Sequence, residues 1–344
     1  MSIYELDVED GRTRIAFDAF DTRVGICAYG DAKACARALE RAFSDCRCYE
    51  RLFSRTIADS DISRVNAAKG AWVDVDARTG KLVEKALAYC AASRGTFDIT
   101  IGAASRLWNL KRGIIPQDEA LAEAVRHVDW HGVRVEREGS RARMRLDDPA
   151  AMIDLGGIAK GWIADALDAA LAQPGIPGYV IDLGGNILVR GEKPDGSPWT
   201  VGLPDPACGP GARERMKPVG TIRIAGGSVV TSGVYERARV CDGVLYHHVL
   251  DPRRACPSRW SILPCPSCAN ARSTPRGFRR RFSHSESRKA ASWQPNTPRS
   301  CRPTSYRGME ACTRYANSVR ARNGRSDSSS RSCRPANQGA GAPS

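Results

Sequence analysis

The segment Asp154–Lys160 has the residues expected of an anion-binding turn. Its sequence, D-L-G-G-I-A-K, sets a glycine pair between an apolar run and a predicted helix, with a carboxylate before the pair and an amine after it. Glycines let the backbone approach a bulky ligand, and the first turn of a helix directs free N–H groups towards an anion. The pattern suits a phosphate ester, although a tight connection between two elements gives the same pattern without any ligand.

Two further stretches carry polar groups beside glycine. A second glycine pair, Gly184-Gly185, also follows an apolar run. Thr231 and Ser232 precede another glycine, and their hydroxyls suit hydrogen bonds to a phosphate or an amide. The P-loop pattern and the G-x-G-x-x-G dinucleotide pattern do not occur in the sequence, which excludes both of those nucleotide-binding classes.

Two adjacent histidines, His247 and His248, come at the end of a predicted strand that leads into Asp251-Pro252. Because neighbouring side chains of a strand point to opposite faces, only one of the two can face a given site. A nearby carboxylate such as Asp251 would make that histidine a serviceable general base. A purely structural histidine is the alternative.

The periodicity of the apolar residues predicts an α+β fold, with helices mainly in the first half of the chain and strands in the second. Helices are predicted over 31–52 with Asp31 as N-cap, over 76–93 and over 159–171, while Ser60 is a further cap candidate and Asn66 a candidate helix stop. Strands are predicted over 13–29, 133–146 (a hairpin that turns at 138–140), 151–155, 179–183, 187–189, 199–203, 221–224, 228–231 and 243–250.

The net charge of +14 is confined to one end of the chain. Residues 1–252 hold 33 basic and 35 acidic side chains, a net charge of −2, whereas residues 253–344 hold 19 and 3, a net charge of +16. This distribution excludes a uniformly basic nucleic-acid binder. It predicts two units, an enzyme-like domain over 1–252 and an Arg/Ser/Pro/Cys-rich tail over 253–344.

The tail lacks the apolar residues of a folded domain, since Ile262, Leu263 and Val319 are its only branched aliphatic residues. Ordering a chain costs about 1–2 kcal/mol per residue, so we expect the tail to be disordered. Three alternatives stay open. Its arginines can bind nucleic acid or an anionic surface, and Cys265 and Cys268 have the C-x-x-C spacing of a zinc or redox site. The composition is also typical of a GC-rich gene that is read in a shifted frame.

The first 252 residues contain seven scattered cysteines, an odd number that favours reduced thiols over a disulfide framework. The N-terminal residues are partly acidic and lack the apolar core of a signal peptide. No apolar run is long enough to span a bilayer. We therefore expect a cytoplasmic location.

Taken in order, the motifs of residues 1–252 resemble the ApbE family of flavin transferases, the FAD:protein FMN transferases. The stretches that carry the resemblance are Ser60–Asn66, Gly95–Gly102 with Trp108, Asp154–Gly161 with Asp165, Leu183–Asn186 with Trp199, Asp205-Pro206, Thr231–Arg237 and His247–Pro252. The resemblance implies an ApbE-like α+β fold. It also implies an enzyme that cleaves FAD with Mg²⁺, transfers FMN to a threonine hydroxyl of a partner flavoprotein and releases AMP.

The resemblance assigns roles to single residues. It implies a general base at His248, one Mg²⁺ ligand at the backbone carbonyl of Gly157, and FAD contacts at Thr96, Phe97, Asp98, Asp154 and Lys160. We add Thr231 and Ser232 to the FAD-binding candidates because of their hydroxyls. Mg²⁺ and Lys160 would supply the positive charge that cleavage of a pyrophosphate needs.

The sequence departs from the family pattern at three places. Thr56 stands where the family often has an aromatic residue that stacks on the flavin, and Phe20-Asp21-Thr22 stands where Met-Gly-Thr is common. In the family D-P-R is followed by T-G-x-P, then by a strand and by a helix whose Asp and Thr complete the metal site. Here Asp251-Pro252-Arg253 is followed by Arg-Ala-Cys-Pro, and no stretch downstream resembles that strand or helix.

Two other functions therefore stay open beside a flavin transferase. The first is a FAD-binding or flavoprotein maturation factor without transferase activity. The second is a nucleic-acid or anionic-surface binder that acts through the basic tail.

Overall fold

The computed structural model describes residues 3–9, 11–203, 218–231, 238–241, 244–257 and 266–268. The strands are β1 (Glu5–Glu9), β2 (Arg12–Ala19), β3 (Thr22–Tyr29), β4 (Val73–Asp76), β5 (Val133–Glu138), β6 (Arg141–Leu146), β7 (Gly178–Leu183), β8 (Asn186–Arg190), β9 (Trp199–Leu203), β10 (Gly220–Ile224), β11 (Gly227–Thr231), β12 (Ala238–Cys241), β13 (Val244–His247) and β14 (Pro266–Cys268). The helices are α1 (Ala32–Phe53), α2 (Asp61–Ala67), α3 (Ala77–Ala92), α4 (Gly102–Ser105), α5 (Asp118–Val125) and α6 (Ala159–Leu171), with a 3-10 turn at Trp130–Gly132.

The main sheet contains seven antiparallel strands in the order β1-β2-β3-β7-β8-β11-β14. Its register aligns Ile15, Ile26, Ile181 and Leu188 in one row across four neighbouring strands. All four side chains are buried, and helices α1 and α6 pack over this face of the sheet. Apolar and polar residues alternate along these strands because the helices cover only one face of the sheet.

A smaller sheet, with strand order β4-β6-β5, carries α2 and α3. Leu82 and Met144, from α3 and β6, are fully buried and belong to the same apolar cluster as the core under the main sheet. Strands β9 and β10, and strands β12 and β13, pair as two further hairpins.

Most of the predicted elements are confirmed. Asp31 and Ser60 cap α1 and α2, where their side-chain oxygens accept hydrogen bonds from the N–H groups of Ala34 (2.8 Å) and Ser63 (3.0 Å). Helix α6 has the predicted bounds. The sequence does not predict β1, α5 or β12. All five residues of β1 are exposed, so no alternation marks that strand.

Residues 151–155 are predicted as a strand, and this prediction is wrong. They form a single parallel bridge, between Met152 and Ile101. Ile153 and Leu155 are both buried, which produces the strand-like alternation in the sequence. The backbone of Ile153 is instead bound by a side chain from α2.

The described structure continues past residue 252. Leu250 bridges to Pro257, and Ala255 is fully buried in a small apolar cluster with Ala104, Leu121 and Ala124. Strand β14 pairs with β11 further along the chain. The rest of 253–344, including Cys265 of the C-x-x-C pair, lies outside the described residues. The possible functions of the tail therefore stay predictions. The domain boundary at 252 stays a prediction.

No helix in the described ranges is long and apolar enough to cross a membrane. Seven of the described cysteines are free thiols, namely Cys27, Cys35, Cys46, Cys48, Cys90, Cys241 and Cys256.

The β2–β3 hairpin turns over Phe20 and Asp21, which both have positive φ angles of 55° and 57°. Two successive left-handed residues are typical of the type I′ turn, which matches the twist of a hairpin. The carboxylate of Glu50 holds this turn, since Oε1 accepts a hydrogen bond of 2.7 Å from the Phe20 N–H. Glycine adopts this left-handed geometry more readily than Asp21 does.

We predict that Asp21→Gly raises the free energy of unfolding by about 0.5–1 kcal/mol, because glycine adopts a left-handed conformation without the strain of a Cβ atom. Urea unfolding followed by circular dichroism measures the change. Lys111→Ala is the control, because it removes only the exposed ion pair between Lys111 and Asp21 (3.1 Å), a contact of little energetic weight. A lower stability for Asp21→Gly would contradict the role given to the turn.

Candidate active site

The second glycine pair and the β2–β3 turn meet at one end of the main sheet. Gly184 and Gly185 connect β7 to β8 with φ angles of 66° and 87°. A Cβ atom on Gly184 would lie 2.3 Å from Oγ1 of Thr22, so only glycine fits against this hairpin. Thr231 lies at the same end, since its N–H donates a hydrogen bond of 3.0 Å to the Gly185 carbonyl.

Helix α6 begins at this end of the sheet. It packs against β7 and β8, and residues 172–177 join its last turn to the first residue of β7. Helix and strand therefore run in opposite directions, and the start of α6 lies near the end of β7. Ile158 precedes the helix and gives no side-chain cap. The N–H of Ala159, the first helical residue, already donates to the Leu155 carbonyl at 2.8 Å. Half-buried Lys160 follows it in the first turn, at the positive end of the helix dipole.

The Asp154 carboxylate is held by two hydrogen bonds and one ion pair just before the helix. Oδ2 accepts a hydrogen bond of 2.9 Å from the Ser105 hydroxyl and lies 3.1 Å from Nε of Arg55 in an ion pair. Oδ1 accepts a hydrogen bond of 2.9 Å from the Gly156 N–H. The Asp154 side chain is 19% exposed, so the carboxylate is fixed in orientation and still reaches solvent.

The backbone next to Asp154 is bound by Asn66. The Asn66 amide accepts a hydrogen bond of 2.7 Å from the Ile153 N–H and donates one of 3.0 Å to the Ile153 carbonyl. The Asp154 N–H donates to the Ile99 carbonyl at 2.7 Å. Asn66 lies inside α2, which ends at Ala67, so its interpretation as a helix stop is replaced by this contact.

The Thr96–Thr100 turn lies against the first glycine pair. A Cβ atom on Gly157 would come 2.9 Å from Cε2 of Phe97, so glycine allows the aromatic ring to approach the backbone. Thr96 is exposed and Phe97 half-buried. The structure thus brings together the predicted site residues Thr96, Phe97, Asp154 and Gly157.

Asp98 is placed differently from the other predicted FAD contacts, because its side chain is only 6% exposed. Its Oδ1 accepts hydrogen bonds from the N–H (2.8 Å) and the hydroxyl (2.6 Å) of Thr100, and its Oδ2 accepts one from the Trp130 N–H (3.3 Å). Burial raises the pKa of the Asp98 carboxyl, and these hydrogen bonds oppose the shift. The carboxylate therefore fixes the turn that carries Phe97.

The two histidines have opposite surroundings, as predicted for neighbours on a strand. His247 ends β13 and is 4% exposed, whereas His248 directly after it is exposed. The hairpin is held near α4 because the rings of Tyr246 and Trp108 lie 5.8 Å apart, and the Trp108 Nε1–H donates to the Ala255 carbonyl at 2.9 Å.

Two of the predicted site features cannot be placed. Ser232 lies outside the described residues. Within the described ranges no group of three or more His, Cys, Asp or Glu side chains could hold a metal ion. The Gly157 carbonyl is a single oxygen, and Mg²⁺ demands six ligands in octahedral geometry. The described residues therefore do not make up a Mg²⁺ site.

Arg55 and Ser105 are the two site residues that the sequence does not reveal. Arg55 stands in the α1–α2 connection, next to Thr56, and Ser105 ends the four-residue helix α4. Neither belongs to a motif with a known spacing. Only their contacts with Asp154 identify them, and those contacts are visible only in the folded structure.

The model of the ApbE family matches residues 20–271 of the chain. The chain belongs to the ApbE family. A FAD:protein FMN transferase of Treponema pallidum is 34% identical over 254 residues, which cover 70% of this chain and 69% of the relative. Another, of Klebsiella pneumoniae, is 30% identical over 257 residues, which cover 73% of this chain and 70% of the relative.

Solved structures agree with this assignment. The ApbE protein of Thermotoga maritima is similar with a TM-score of 0.63 and 30% identity, over 74% of this chain and 79% of that chain. These matches confirm the ApbE-like α+β fold. The ApbE family match extends to residue 271 and so includes the buried turn around Ala255 and strand β14.

We predict that Asn66→Ala lowers the free energy of unfolding by about 2–4 kcal/mol, because it leaves the N–H and the carbonyl of buried Ile153 without their hydrogen bonds. Urea unfolding provides the measurement. Asn109→Ala is a matched control, since the Asn109 side chain accepts one exposed hydrogen bond, of 3.1 Å, from the Arg112 N–H. Equal effects of the two substitutions would contradict the importance of the Asn66 contact.

Proposed function

We propose that this ApbE-family chain is a FAD:protein FMN transferase that moves the FMN part of FAD to a threonine hydroxyl of a partner flavoprotein and releases AMP. One observation carries the proposal: the fixed Asp154 carboxylate, the Gly156-Gly157 turn and the Phe97 ring come together at the start of α6. The names of the curated relatives support the same activity.

The reaction exchanges one phosphoester bond for another. The acceptor oxygen attacks the phosphorus atom on the FMN side of the pyrophosphate, the bond from that phosphorus to the bridging oxygen breaks, and AMP leaves with the bridging oxygen. Negative charge develops on the leaving phosphate. The first N–H groups of α6 and the Lys160 amine are the groups of this chain that would stabilise it.

His248 is the proposed general base. It takes the proton of the acceptor hydroxyl, and a protein acceptor can reach it because it is exposed. His247 does not fit this role, since it is buried at the end of β13. The contact between Tyr246 and Trp108 keeps the β12–β13 hairpin, and with it His248, next to α4.

The flavin donor would contact Thr96, Phe97, Asp154 and Lys160. Thr231, at the end of β11, and Ser232 would add hydroxyl donors. In this proposal Asp98 acts through the backbone, because its carboxylate already accepts hydrogen bonds from Thr100 and Trp130. The half-buried Phe97 ring supplies an apolar surface beside Gly157.

We retain Mg²⁺ as a proposed requirement of the reaction. Gly157 offers one carbonyl oxygen, and further ligands would come from outside the described residues, from water and from the donor phosphates. A cytoplasmic location likewise stays a prediction from the sequence.

Incubation of the full chain with FAD and Mg²⁺ tests the proposal through the products. We expect AMP by chromatography and, with a flavoprotein that carries the acceptor threonine, a protein-bound fluorescent flavin that survives denaturation. EDTA should abolish both signals. Bound FAD without AMP or labelled protein would contradict transferase activity and support a FAD-binding or maturation factor.

We predict that His248→Ala lowers kcat for transfer by about 100-fold or more, with little change in the KM for FAD, because a general base acts on the acceptor and not on the donor. Initial rates of flavin labelling provide the measurement. His131→Ala is the control, since His131 is also an exposed histidine and its ring contacts its chain neighbours Asp129 and Trp130. Transfer at the wild-type rate by His248→Ala would rule out this base.

A further inference from the structure

Arg55 is the cation next to the Asp154 carboxylate. Its side chain is 34% exposed, and its Nε lies 3.1 Å from Oδ2 of Asp154. In the described part of the chain, Asp154 is the only recorded partner of this guanidinium. The two Nη groups, with four N–H donors, are therefore available to a ligand.

The position of Arg55 matters because Asp154 is part of the first glycine turn. The same carboxylate accepts the Gly156 N–H through its other oxygen, so Arg55 lies across the carboxylate from the backbone that leads into α6. Lys160 stands in the first turn of that helix. Along the chain Lys160 follows the glycine pair, and in space Arg55 contacts the carboxylate that precedes the pair.

We infer that Arg55 is a substrate-binding residue, which contacts the phosphate groups of the flavin donor. The inference rests on the proposed function and adds a residue to it. The Asp154 carboxylate binds the Nε side and restricts the guanidinium, and the Nη groups donate to a phosphate oxygen. A guanidinium suits this task because its planar donors match an oxyanion in pairs, which a lysine cannot do.

A comparison with Ser105 distinguishes a phosphate contact by Arg55 from a role in positioning Asp154 alone. Its hydroxyl donates to the same Asp154 oxygen as the one that pairs with Arg55, yet it brings no charge. If Arg55 served only to orient Asp154, loss of Arg55 and loss of Ser105 would have the same effect on every flavin ligand. A phosphate contact affects only those ligands that carry a phosphate.

The test compares the affinities of wild type, Arg55→Ala, Arg55→Lys and Ser105→Ala for FAD, FMN and riboflavin, measured by flavin fluorescence. Arg126→Ala is the control, as its side chain is highly exposed and pairs with Glu123 on the surface. We expect Arg55→Ala to weaken FAD and FMN binding by about 10-fold or more and to leave riboflavin unchanged, as loss of charged hydrogen bonds predicts. Arg55→Lys should restore part of the loss.

Competition between inorganic pyrophosphate and FAD gives a second measurement. It does not depend on whether riboflavin binds tightly enough to be measured. Arg55→Ala should raise the inhibition constant of pyrophosphate against FAD by a larger factor than Ser105→Ala does, and Arg126→Ala should leave it unchanged. Equal loss of FAD and riboflavin binding, unchanged binding, or unchanged competition would overturn the inference. Failure of the proposed function is distinct, because the wild-type chain would then give no AMP from FAD.

Discussion

The geometry of the candidate site depends on how the backbone of Ile153–Gly157 is held. Within the described residues no strand pairs with this segment to supply a ladder of hydrogen bonds, although the Asp154 N–H donates to the Ile99 carbonyl. Asn66 takes that place, with one side-chain amide that binds both polar groups of Ile153 at 2.7 and 3.0 Å. A buried backbone needs such partners, and here they come from a helix rather than from a neighbouring strand. Because Ile153 is fixed, the Asp154 carboxylate keeps one orientation at the start of α6.

The main sheet provides the second requirement, since its β2–β3 and β7–β8 turns lie at the same end of the sheet. Gly184 lets the β7–β8 turn pack directly on Thr22, and Thr231 completes this end through its bond to Gly185. Helix α6 runs back to the same end from the start of β7. The two glycine turns, Gly156-Gly157 and Gly184-Gly185, thereby lie at the same end of the main sheet.

The sequence predicts features that depend on residues close in the chain. The Asp31 and Ser60 caps, the bounds of α6 and the opposite surroundings of His247 and His248 all follow from local spacing. It does not reveal Ser105, whose partner is 49 positions away, or the contact of Asn66, whose partner is 87 positions away. The wrong strand prediction at 151–155 also reflects contacts between distant residues. Burial produces the alternation of apolar side chains there, but the hydrogen-bond partners of the backbone depend on the tertiary fold.

The central claim is that the flavin donor binds with its pyrophosphate at the start of α6. A crystal structure of the chain with FAD measures this directly. The account predicts phosphate oxygens within about 2.7–3.2 Å of the first N–H groups of α6, with the Asp154 turn beside them. FAD in the groove on the other face of the main sheet, where Arg14, Cys27 and Trp199 lie, would contradict it.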